Sequence, residues 1–162
     1  MSDQDAGVIV SLTTLGPAAL PEVKRRRQGV RAALDRLEHA IAAPTTGREA
    51  AWVAKVADQL TNVETAFGHH VTVTEDEDGL FDEIIADAPR LANQIQQLRT
   101  DHVRIAVAID RARLLATGPA AEGRLSELSE AALDLLARLT RHRHLGATLV
   151  YEAYTVDIEA AD

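Results

Sequence analysis

The chain has 162 residues, no cysteine, and a formal net charge of −8 from 25 acidic and 17 basic side chains. That length, with 46% hydrophobic residues, is enough for one domain with its own core and too short for two. The missing thiols exclude disulfides, thiolate metal ligands and cysteine nucleophiles. The acidic balance argues against a nucleic-acid partner, which needs clustered Lys and Arg.

Residues 1–19 read as an N-terminal leader ahead of a domain covering 20–162. Acidic residues stand where a secretory signal needs positive charge, and the apolar part is too short to span a bilayer. A soluble, cytoplasmic protein with no membrane partner is expected. The basic run "KRRRQ" at 24–28 belongs to a helix and reads as a solvated face.

Pro- and Gly-bearing breaks at 42–47, 87–89 and 117–123 divide the rest into four amphipathic segments. Helices are expected over 21–42, 48–86, 89–116 and 124–158. Thr46 followed by Glu49 spells a capping box for the second of these. The fold class is all-α, an up-down-up-down antiparallel four-helix bundle, because the connections are short and each segment carries one apolar stripe.

Steps of three and four residues place one seam on each helix. The first seam reads Val23, Arg27, Val30, Leu34, Leu37, Ile41, and the second Val53, Val56, Leu60, Val63, Phe67, His70. The third reads Leu91, Ile95, Leu98, His102, Ile105, Ile109, Ala112. The fourth starts at Leu125 and Leu128, passes through Leu135, Leu139 and His142, and ends at Leu149, Ala153 and Val156.

Three histidines therefore sit where the pattern demands a core residue, whereas His39, His69 and His144 fall off their seams. A buried imidazole needs a partner for each polar nitrogen, so three burials call for a shared reason. Counting about 1.5 Å per residue from each turn brings His70, His102 and His142 into one layer and leaves His39 at the far end. Neutral imidazoles with one carboxylate hold Fe(II), Zn(II) or Mn(II) and leave positions for water or a small ligand. The candidate metal ligands are His70, His102 and His142, with Glu75 or Glu77 completing the shell. Glu152 lies about 15 Å along the axis from His142, too far to join them. "TEDEDG" imitates a calcium loop, but its first and twelfth positions would be Thr74 and Ile85, where carboxylates are required.

Three motifs in order, "GHHVTVTEDEDGLF", "LRTDHVRI" and "LTRHRHLGATLVYEAY", resemble those of the hemerythrin-like family over about residues 22–157. The resemblance implies a four-helix bundle that holds non-heme iron between its helices. It also implies dioxygen, nitric oxide or peroxide chemistry at that iron, or iron storage and sensing. The chain departs from the family pattern in three places. No His stands at the metal layer of the first helix, His70 plus four is Thr74, and His142 plus four is Gly146. One ion is expected rather than two. The competing readings are a metal-free scaffold for protein or small-ligand contact, and an enzyme with a substrate of its own such as peroxide.

Overall fold

The computed structural model describes residues 19–159, and every regular element among them is helical. The five α-helices are α1 (Ala19–Ile41), α2 (Glu49–Glu75), α3 (Leu80–Asp87), α4 (Ala92–Leu115) and α5 (Leu125–Glu159). Short 3-10 turns at Pro89–Leu91 and Ala121–Arg124 lead into α4 and α5. Nearly all of the expected leader lies outside the described residues, as do the side chains of Val23, Arg27 and Val156. None of the described helices is long and apolar enough to cross a membrane.

The four long helices form a bundle in which α1 packs on α2 and α5, and α4 packs on α2 and α5. The turn between α1 and α2 is closed by the indole of Trp52, buried on α2, whose Nε1–H donates to the Ile41 carbonyl at 3.3 Å. Gly47 takes the left-handed conformation there, φ 70°, which an L side chain resists. The expected capping box does not form, since Glu49 bonds Gly47 and not Thr46. The Glu49 carboxylate accepts the Gly47 N–H at 3.0 Å, but α2 begins without a side-chain cap and Thr46 lies outside it.

The expected single helix over 48–86 is two helices. Val71, Thr72, Val73 and Thr74 are all β-branched, and the Thr74 hydroxyl donates back to the carbonyls of His70 (3.0 Å) and Val71 (3.1 Å). Both features weaken a final helical turn. α2 stops at Glu75, and Asp78 adopts φ 61°. Gly79 then turns back so closely that a Cβ there would stand 2.7 Å from the Asp76 carbonyl oxygen. The break swings α3 inward and buries Phe81 and Ile84. Ala88 leaves the helical region ahead of Pro89, as a residue before proline tends to, and this ends α3.

The core has two apolar bodies. One gathers Leu37, Leu60, Phe67, Ile105 and Leu139 from four helices; the other gathers Phe81, Ile84, Leu98 and Leu149. Leu98 and Ile105 flank His102 on α4, while Leu139 and Leu149 flank His142 on α5. The imidazoles thus mark the boundary between the two bodies.

Candidate metal centre

α2, α4 and α5 each deliver one seam histidine to this boundary. The Nε2 atoms of His70 and His142 are 3.2 Å apart, those of His102 and His70 3.3 Å, and those of His102 and His142 3.1 Å. His102 is 3% exposed and His142 5%, with His70 partly buried. Phe67 forms a wall, its ring meeting His102 and His142 edge-on and lying nearly parallel to His70. Phe81, brought in by the break after α2, stacks on His102 at 5.8 Å with the planes 13° apart.

The outer nitrogens decide which way each lone pair points. His102 Nδ1–H donates to Glu75 Oε1. A carboxylate only accepts, so the proton is on Nδ1 and the Nε2 lone pair faces the centre. Glu75 is held in turn by Arg99, whose Nη1 lies 3.7 Å from Oε2. Arg99 also reaches Asp82 at 3.3 Å and lies over the Phe81 ring. His142 Nδ1 is buried and makes no hydrogen bond.

Burial lowers the pKa of His102 against the opposing pull of Glu75. It lowers that of His142 to about 4, and the second cause is the repulsion that two protonated imidazoles, His142 and His102, would exert on each other. Both shifts favour the neutral imidazole, the form that binds metal.

The arrangement passes a test of fit for one ion. Two nitrogens each about 2.05 Å from a tetrahedral ion are about 3.3 Å apart, and somewhat closer at smaller bond angles. The observed edges of 3.1–3.3 Å match that spacing. The three Nε2 atoms converge on one point, and His142 Nδ1 is a buried polar atom left without a hydrogen bond at the edge of the group.

Among the described residues, His70, His102 and His142 are the group of possible ligands that converges. Glu75 approaches from the far side of the His102 ring, and Glu77 is exposed in the turn after α2. The structure brings neither carboxylate in among the three nitrogens. His39, His69 and His144 are exposed. Sequence reasoning passed over Asp101, which is 8% exposed and whose Oδ2 lies 4.0 Å from His142 Nδ1. A carboxylate directly before a seam histidine was the available signal.

A cavity of about 60 Å³ opens beside His70 and His142, walled by Phe67, Phe81, Leu139 and Leu149 among others. A water needs about 10–15 Å³ of this kind of space, so the cavity has room for a small molecule. Comparison with family models, curated proteins and solved structures gives no match for this chain.

Proposed function

We propose that this chain is a metal-binding protein of hemerythrin-like type, an up-down-up-down bundle that holds a single divalent first-row ion on His70, His102 and His142. The observation that carries the reading is the triangle of Nε2 atoms 3.1–3.3 Å apart, buried between two apolar bodies. Three imidazoles from three helices are a donor set for Fe(II), Zn(II) or Mn(II). The sequence resemblance favours iron among these. One ion rather than two follows from the donor count, because Glu75 is engaged with His102 from outside and Glu77 is exposed.

When bound, the ion supplies open coordination positions, and with iron also redox chemistry toward a small oxidant. The chain's own groups do the rest. Glu75 fixes the His102 tautomer, Phe67 and Phe81 keep water from the imidazoles, and the apolar cavity beside His70 and His142 admits a small neutral molecule. Binding or sensing of dioxygen or a similar small ligand is the function this supports.

The test is the metal content of protein purified without an affinity-metal column, read by mass spectrometry with an ultraviolet–visible spectrum. About one ion per chain is expected, lost in His102→Ala. Absence of bound ion, with no change in melting temperature when Fe(II), Zn(II) or Mn(II) is added, would overturn the reading. Two ions per chain would overturn the single-ion site.

A further inference from the structure

We infer that Asp101 is the positioning residue for His142, the counterpart on α5 of what Glu75 does for His102. The inference rests on the metal reading above and extends it to a residue outside the ligand set.

Asp101 and His102 are neighbours on α4, yet they serve different directions. His102 points into the triangle, while Asp101 turns toward α5. The Asp101 side chain is buried, and its two oxygens face different partners. Oδ1 is approached by Arg141 Nη2 at 3.7 Å and Arg104 Nη1 at 3.9 Å. Oδ2 is turned to His142 Nδ1, 4.0 Å away. That nitrogen is buried and has no hydrogen-bond partner.

A buried carboxylate oxygen and a buried imidazole nitrogen thus face each other about 1.2 Å beyond charge-assisted hydrogen-bond distance. Small rotations of the two side chains close that gap. Once it closes, Nδ1–H donates to Oδ2, the tautomer of His142 is set, and its Nε2 lone pair is committed to the ion. A metal-bound histidine that donates its other N–H to a carboxylate is also a more basic ligand.

The arrangement on His102 shows the same order of groups already closed. Arg99 approaches Glu75, and Glu75 accepts from His102 Nδ1. On His142 the order is Arg141 with Arg104, then Asp101, then Nδ1. In each case the preceding long helix supplies the carboxylate: α2 for α4, across the short α3, and α4 for α5. A role confined to structural ion pairing would need only Oδ1, and both arginines there are largely exposed.

The experiment is titration of metal-stripped full-length protein with Co(II), read from its visible bands, with Zn(II) competition giving the affinity. The proteins are the unmodified chain, Asp101→Ala, Asp101→Asn and Asp101→Glu. For Asp101→Ala we expect about a 10- to 100-fold loss of Co(II) affinity, with displaced visible bands. Asp101→Asn keeps an acceptor without the charge and should lie between. Asp101→Glu, longer by one methylene and so able to span the gap, should stay within about 3-fold of the unmodified chain on the same scale. If Asp101→Ala fails to fold by circular dichroism, Asp101→Asn and Asp101→Glu carry the comparison. Unchanged affinity and bands in every folded neutral variant, while the unmodified chain binds one Co(II), would overturn this inference and leave the metal site standing. Failure of the unmodified chain to bind Co(II) or Zn(II) would overturn the metal reading and this inference with it.

Discussion

His142 joins burial to pH dependence. Its side chain is 5% exposed, and burial first, then the repulsion that protonated His142 and His102 would exert on each other, brings its pKa down to about 4. An unfolded imidazole titrates near 6.5, so between those values the unfolded chain takes up a proton that the folded chain refuses. The folded state is therefore unpenalised above about pH 6.5 and loses stability as pH falls toward 4. For this one group the loss reaches about 3 kcal/mol, and His102, shifted in the same direction, adds to it. Urea midpoints of metal-stripped protein should fall across that window, and more shallowly in His142→Gln. Equal slopes in the two proteins would show that His142 is not held neutral by the fold. The imidazoles were legible in the sequence because a histidine in a seam of Leu, Ile and Val breaks a strong pattern. Asp101 was harder to read: its one signal is its place directly before a seam histidine, while its burial comes from packing against α5, which periodicity along α4 does not encode.

At the scale of elements, the centre depends on where α2 ends. Had α2 continued to the Pro89 break, Phe81 would not stack on His102. The second seam ends at His70, and the single helix is expected beyond it because α3 is itself amphipathic and the acidic run suits a solvated helix as well as a turn. What breaks the helix is the combination of four β-branched residues, the Thr74 back-bond and a glycine that admits no Cβ. Gly79→Ala tests this, because its new methyl carbon would stand 2.7 Å from backbone oxygen that has little room to yield. A destabilisation of about 1–3 kcal/mol is expected, together with weaker metal binding as Phe81 and Glu75 shift. An unchanged melting temperature and unchanged affinity would mean that the turn adapts and that α3 is not needed at the site. The turn between α1 and α2 offers a second check. Trp52→Phe removes the indole donor to Ile41 and leaves that carbonyl to find another partner, so a loss of about 1 kcal/mol beyond the volume change is expected from thermal melts. A stability equal to the parent's would assign Trp52 a purely apolar role.

On the scale of the whole molecule, the imidazole layer would add stability on binding the proposed ion. It lies between two apolar bodies, and its three histidines come from α2, α4 and α5. An ion there would tie three helices at a single point, and the unfolded chain, with its histidines dispersed, would offer no comparable site. Ligand that binds only the folded state stabilises it by mass action, by about 2.7 kcal/mol at a free concentration 100 times Kd. For a chain of this length one kcal/mol corresponds to roughly 2–4 °C, so melting should rise by about 5–11 °C under those conditions. The rise should scale with the logarithm of free Zn(II) or Fe(II), vanish with chelator, and be absent in His102→Ala at every concentration. Calorimetry of the parent and the variant over a metal series makes the comparison. A parallel rise in both proteins would locate the bound ions on the acidic surface of this −8 chain instead, and the buried triangle would then be a polar layer without an ion.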